Sequence, residues 1–165
     1  MFEVIIRACE LKDIPQICEI YNYYISNTVI TFEETPLTVA EMSARIESYT
    51  KLYPWLVCEV EGSVVGYAYA SKWKERSAYK KTAEATVYLK NGLSGKGYGK
   101  ALYSALLDAL KALDCHVVLG CIALPNEASV GLHESFGFNK VAHFTEVGRK
   151  FSQWVDVGYW QKIYE

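Results

Sequence analysis

The sequence predicts an α/β (α+β) fold: a mixed, mostly antiparallel central sheet of about seven strands flanked by about four helices. Three observations carry it. Short runs of apolar or alternating residues mark strands, longer runs with apolar residues at helical spacing mark helices, and the two kinds interleave in the order βααβββαβαββ. Adjacent strands joined by tight turns pair antiparallel, whereas strand–helix–strand units need crossovers. The sheet is therefore mixed, not doubly wound and parallel.

Taken in order, Glu3–Cys9 reads as the first strand. Asp13 can cap a helix with Pro15 in its first turn, and Ile14, Ile17, Cys18, Tyr21 and Ile25 then recur at helical spacing. Thr38-Val39-Ala40-Glu41 is a capping box that opens a second helix, running to about Tyr53. Trp55–Val60 and Val64–Ala70 flank Glu61-Gly62-Ser63 as a hairpin. Thr82–Leu89 is a fourth strand, and Tyr98–Leu113 a helix with Leu102, Leu106, Leu110 and Leu113 on one side. His116–Ile122 is a fifth strand. Asn126–Phe136 is a short helix whose buried stripe is marked by Ala128, Leu132 and Phe136, with Gly137 at a left-handed C-cap position. Asn139–Gly148 and Trp154–Tyr164 complete the set as two further strands.

Composition narrows the function. The 165 residues suit one domain over 1–165 with one core, 51% are hydrophobic and 22% charged. The formal net charge of −2 gives no basic excess to hold nucleic acid or an acidic membrane, so any anion must be gripped locally. No window has the length of apolar sequence that spans a bilayer, and Met1–Arg7 is already strand-like rather than a signal peptide. Cys9, Cys18, Cys58, Cys115 and Cys121 are odd in number, lack C-x-x-C spacing and sit in apolar runs. They read as buried free thiols of a cytoplasmic protein. A metal site is not expected: His116 beside Cys115 is the only ligand adjacency, and strand neighbours point to opposite faces.

The most informative stretch is Leu93-Ser94-Gly95-Lys96-Gly97-Tyr98-Gly99-Lys100, between a strand and a helix. Alternate glycines there leave bare backbone N–H groups beside a positive helix end, which can hold a diphosphate, with Lys96 and Lys100 adding charge at the rim. A plain tight turn would use glycine too, but rarely three. A Walker loop fails, because Ala101 follows Gly99-Lys100 and Ser94 holds the earlier glycine position. The dinucleotide pattern beginning at Gly97 would need glycine at Leu102.

The loop resembles the coenzyme A pyrophosphate loop of the GNAT superfamily of N-acetyltransferases, Gln/Arg-x-x-Gly-x-Gly/Ala, with Gly97 and Gly99 matching and Ser94 in place of the glutamine or arginine. Asn126-Glu127-Ala128-Ser129 and Leu132-His133-Glu134-Ser135-Phe136-Gly137-Phe138 are similar to the family's second coenzyme segment. Within the superfamily the likeness is to phosphinothricin acetyltransferases, through Tyr53–Val57, Trp73–Tyr79, Thr82–Tyr88 and Trp154–Gln161. It runs from about Ile6 to Tyr164.

The resemblance implies a GNAT-like fold and an enzyme that moves acetyl from acetyl-CoA to the primary amine of a small amino-acid-like molecule; the alternatives are acetylation of protein N-termini or lysines, and an acetyl-CoA-binding protein without catalysis. Glu84, Thr86 and Tyr88 share one strand face and Ala83, Ala85, Val87 and Leu89 the apolar other, so Glu84 points over the polar face. By resemblance Glu84 is the general base, through water; the alternative is a solvated charge on a half-exposed strand. His133 either protonates the leaving thiolate or is a structural histidine. Asn126 caps its helix and meets the pantetheine amides, and Ser135 belongs to the same coenzyme segment. Backbone N–H groups of Val87, Tyr88 and Leu89 polarise the carbonyl, and Gly95, Lys96, Gly97, Tyr98, Gly99 and Lys100 hold the diphosphate. Phe32, Lys74, Arg76 and Tyr79 are the residues implied for the acceptor. Glu33 stands where relatives carry arginine, which weakens phosphinothricin itself as the acceptor. Relatives are usually homodimers, and Trp154, Tyr159, Trp160 and Tyr164 either form that interface or finish the core.

Overall fold

Val4–Ala8 forms β1, Ile14–Asn27 α1 and Val39–Thr50 α2; Trp55–Val60 is β2, Ser63–Lys72 β3 and Thr82–Leu89 β4. Tyr98–Ala112 is α3, Val117–Leu124 β5, Glu127–Ser135 α4, Asn139–Lys150 β6 and Gln153–Ile163 β7. Short 3-10 turns at Leu11–Asp13 and Ser77–Tyr79 add to the elements expected from the sequence. The structure, a computed structural model, describes residues 2–165, so Met1 of the strand-like opening lies outside the described residues.

The seven strands lie in the order β1-β2-β3-β4-β5-β7-β6. Every neighbouring pair is antiparallel except β4–β5. The expected mixed, mostly antiparallel sheet is therefore present, with four α-helices among the described residues.

Two apolar layers cover the sheet. On one face, Leu102, Leu106 and Leu110 of α3 pack with Ala83, Ala85, Val118, Ile122, Phe138 and Trp160. On the other, Ile14, Ile17, Tyr21, Ile25, Met42 and Ile46 of α1 and α2 pack on Trp55, Val57 and Tyr67. Each fully buried Leu, Ile, Val, Phe or Met among them contributes about 1.5–3 kcal/mol by leaving water. Trp55 stacks on Tyr69 with ring centroids 4.0 Å apart, and Tyr49 and Tyr67 extend the stack.

Helix ends follow the sequence except at Asp13, at Leu113 and at the end of α2, which stops at Thr50 rather than about Tyr53. Thr38 accepts the Glu41 N–H and Glu41 accepts the Thr38 N–H, the expected capping box. Gly137 has the left-handed φ of 85° expected after α4. Asp13, however, makes no side-chain cap to α1. Its carboxylate accepts two hydrogen bonds from Arg7, at 2.7 and 2.8 Å, and one from the Glu10 N–H at 2.7 Å. Leu113 is 53% exposed rather than part of the α3 stripe, because the helix ends just before it.

Among the described residues no helix is long and apolar enough to cross a membrane.

Candidate active site

β4 and β5 pair over three positions only, Thr82↔Val117, Ala83↔Val118 and Glu84↔Leu119. Beyond Glu84 the strands part, while β4 stays paired to β3 as far as Leu89 and β5 to β7 as far as Leu124. A cleft of about 670 Å³ opens between them, lined by Ala85–Leu89 on one side and Cys121, Ile122 and Ala123 on the other.

The cleft ends at the glycine loop. Gly95 and Gly97 have φ of 80° and 84°, values that residues with a side chain rarely adopt. A Cβ at either would meet nothing within 4 Å, so conformation, not crowding, demands glycine. Gly97 is also the N-cap of α3, without a side-chain cap bond. The first N–H groups of a helix have no intrahelical partner, so those of Tyr98, Gly99 and Lys100 stand at the positive end of α3. That is an anion cradle built of backbone.

The strand wall is equally polar at its backbone. Lys90 donates its N–H to Val65 of the preceding strand segment. Alternation then turns the N–H and C=O groups of Leu89 and Val87 away from β3, toward the cleft. The Leu89 carbonyl is taken by the Tyr24 hydroxyl at 2.5 Å, as that orientation requires.

Ten of the expected residues line this cleft: Val87, Tyr88, Leu89, Gly95, Gly97, Gly99, Lys100, Asn126, His133 and Ser135. Lys96 and Tyr98 are not in the lining; Lys96 is exposed and the Tyr98 ring packs on the core. Asn126 caps α4 by accepting the Ser129 N–H at 3.2 Å.

Glu84 is half-buried on the face predicted for it, at the last β4–β5 pair; it lies just outside the cleft lining, which begins on this strand at Ala85. Burial raises its pKa above the ordinary carboxylate value, and the nearby Lys74 charge opposes the rise. Lys74 therefore lies on the Glu84 side, with its ammonium 5.3 Å over the Trp73 ring. Tyr79 packs edge-on to Trp73 at 5.2 Å, and Arg76 is exposed. These residues and Phe32 stand outside the cleft lining. Glu33, in the arginine position, is held by Arg45 through bonds of 2.7 and 2.8 Å and by the Tyr21 hydroxyl.

Two expectations need correction. The buried position of α4 is His133, 4% exposed, whereas Ala128 is exposed and faces the cleft. The stripe expected through Ala128 fails because one flank of this helix borders a cleft, not the core. Its Nδ1 lies 2.8 Å from the Ser129 carbonyl and its Nε2 2.6 Å from the Tyr103 hydroxyl. A carbonyl only accepts, so Nδ1 carries the proton and Nε2 accepts from Tyr103. Burial lowers the His133 pKa, which keeps the ring neutral. Cys121, second, is exposed in the cleft rather than buried, and Cys9 is half-buried.

The sequence reading missed Tyr23, Tyr24, Thr28 and Ile30, which wall the cleft from α1 and the loop after it. Tyr24 lies three residues after Tyr21 on the helical stripe, so a signal was present.

Among the described residues no three His, Cys, Asp or Glu side chains gather in a metal-binding group. The chain matches the Acetyltransferase (GNAT) domain family over residues 6–158. It is 40% identical to a phosphinothricin N-acetyltransferase of Streptomyces viridochromogenes over 97% of this chain and 87% of that protein. It is 35% identical to an L-methionine sulfoximine/L-methionine sulfone acetyltransferase of Pseudomonas aeruginosa over 94% and 92%. A phosphinothricin acetyltransferase of Sinorhizobium meliloti, solved in complex with acetyl-CoA, superposes with a TM-score of 0.94 at 36% identity, covering 97% and 88%. With the parted strands, the backbone anion cradle and these matches together, the chain belongs to the GNAT family of acetyltransferases.

Proposed function

We propose that the chain, a single domain over residues 1–165, is an acetyl-CoA-dependent N-acetyltransferase acting on the primary α-amine of a small amino-acid-like substrate. Phosphinothricin, methionine sulfone and methionine sulfoximine are the candidate acceptors, from the names of the relatives. The observation that carries the reading is the parting of β4 and β5 directly above Glu84, with the glycine cradle at the far end of the same cleft.

The residues present fit the coenzyme. Its diphosphate would meet the N–H groups at the start of α3, with Lys100 beside them, and its amides would meet Asn126 and the β4 backbone. Bound there, acetyl-CoA supplies an acetyl thioester. The N–H groups of Val87 and Leu89 are preorganised donors for a developing oxyanion. Glu84, through water, takes the proton of the attacking amine. An α-amine of pKa about 8 is roughly one-tenth neutral at pH 7, whereas a lysine amine near 10.4 is below about one in a thousand. The small-molecule acceptor thus asks less of the base. Lys74, Arg76, Tyr79 and Phe32 flank the acceptor side. His133 has no free N–H, so its role in this scheme is to hold α4 against Tyr103.

The edge strand and its neighbour expose Val141 (53%), Phe144 (49%), Val147 (59%) and Trp154 (59%), a surface that favours a homodimer. Trp160, by contrast, is core, and Tyr164 donates to the Leu107 carbonyl. The five unpaired cysteines favour a cytoplasmic setting.

The test is free-thiol release from acetyl-CoA against methionine sulfone, methionine sulfoximine, phosphinothricin, plain amino acids, polyamines and a lysine peptide. Turnover on the oxidised amino acids supports the reading. Turnover on the peptide alone moves the activity to protein acetylation, and tight acetyl-CoA binding with no turnover overturns catalysis.

A further inference from the structure

The loop between α1 and α2 brings Thr28 and Ile30 into the cleft. It is tied down from three elements. From α1, the Tyr21 hydroxyl lies 2.8 Å from Thr31 Oγ1 and also bonds Glu33. From α2, Arg45 grips Glu33. The third tie comes from the other end of the sheet: Lys150, near the end of edge strand β6, donates from Nζ to the Thr31 carbonyl at 2.8 Å.

Lys150 is 2% exposed. An ammonium is among the costliest groups to bury, and this one has three donors and one bonded acceptor. Burial lowers its pKa, and the Glu34 and Glu33 carboxylates oppose the fall. Two residues earlier, Gly148 meets the Phe32 ring so closely that a Cβ there would lie 2.4 Å from it. An edge strand needs neither a buried lysine nor a glycine for its ladder. Both are explained by the loop they touch.

We propose that Lys150 and Gly148 are positioning residues for the acceptor side of the cleft: the ammonium fixes the Thr31 carbonyl, the glycine seats the Phe32 ring, and β6 thereby sets where Ile30 and Phe32 stand. This rests on the reading of the cleft as the acetyl-transfer site. It also makes acceptor binding depend on a strand that lies at the sheet's far edge from β1.

The experiment compares wild type, Lys150→Met and Gly148→Ala in two ways. Amide hydrogen exchange over residues 28–37 should quicken by about tenfold in both variants, with α3 unchanged. The KM for methionine sulfone should rise by about five- to tenfold, with kcat and the KM for acetyl-CoA within about twofold. A purely structural role would lower kcat with the folded fraction and leave KM alone. That result, or unchanged loop exchange in both variants, overturns the proposal. If Lys150→Met does not fold, Gly148→Ala decides alone, since it removes no charge. If wild type does not turn over methionine sulfone, the acceptor reading fails, and the exchange measurement still decides the anchor.

Discussion

Glu84 and Leu119 are the last partners of the β4–β5 ladder, and the cleft begins where their pairing stops. The candidate base thus stands at the vertex of the opening, where backbone donors change from sheet bonds to free groups. Replacing it with glutamine keeps the shape and removes the proton acceptor. Glu84→Gln should lower kcat/KM by about 10²–10⁴, read by thiol release.

The same residue predicts a pH effect. Its pKa is raised by burial, so the base loses its proton only above the usual carboxylate range. The acid limb of kcat/KM should lie above that range in wild type and vanish in Glu84→Gln. Folding stability responds in the opposite direction. A raised carboxyl pKa favours the folded state at low pH and costs stability as pH rises through the folded value. Glu84→Gln should therefore be at least as heat-stable as wild type at pH 8, with the gap closing toward pH 4.

Gly97→Ala should damage the cradle. Placing a side chain at its φ of 84° costs about 1–2 kcal/mol, and the new methyl points into open space where the diphosphate would lie. The Kd for acetyl-CoA, by calorimetry, should rise by about tenfold or more. An unchanged Kd would remove the loop from the coenzyme site.

His133→Gln should act on stability before chemistry. It disturbs one buried and one partly buried hydrogen bond, so urea unfolding should show a loss of about 1–3 kcal/mol. The depressed pKa of His133 gives stability that is present above the unfolded value near 6.5 and lost as pH falls through the folded value. The variant should lose less stability than wild type between pH 7 and pH 5. A basic limb of the pH–rate profile that disappears in His133→Gln would restore the proton-donor role.

Asp13→Asn should weaken the first turn. Arg7 donates to Asp13 at 2.7 and 2.8 Å and to Glu59 at 2.9 Å, joining β1, β2 and the start of α1. The Arg7 guanidinium holds the Asp13 carboxyl below its usual pKa, so this stability is present at neutral pH and fades on acidification. Loss of the charged partner should cost about 2–3 kcal/mol at pH 7, measured by denaturant unfolding.

Much of this was legible in the sequence, for physical reasons that also explain the failures. Leu102, Leu106 and Leu110 lie on the side of α3 that faces the sheet, so their 3.6-residue period survives as burial. Gly95 and Gly97 announce a backbone conformation, which is local and therefore readable. The α4 helix has two different neighbours, core on one flank and cleft on the other, and a single apolar stripe cannot describe both. Cys121 reads as core because its strand is apolar; the parting of β4 and β5, a non-local event, is what exposes it. Lys150 carries no signal at all, because its partner is a backbone carbonyl 119 residues away.

The brevity of the β4–β5 join bears on how the chain folds. β2–β3–β4 are consecutive and pair as neighbours, and β6–β7 is a local hairpin, whereas the three-pair parallel join must close over α3. Contacts that close long loops win back their entropy last. The binding cleft would then be the final feature to appear, assembled when two already ordered halves meet. Small substitutions at Ala83 or Val118 should accordingly speed unfolding while leaving the folding rate nearly untouched.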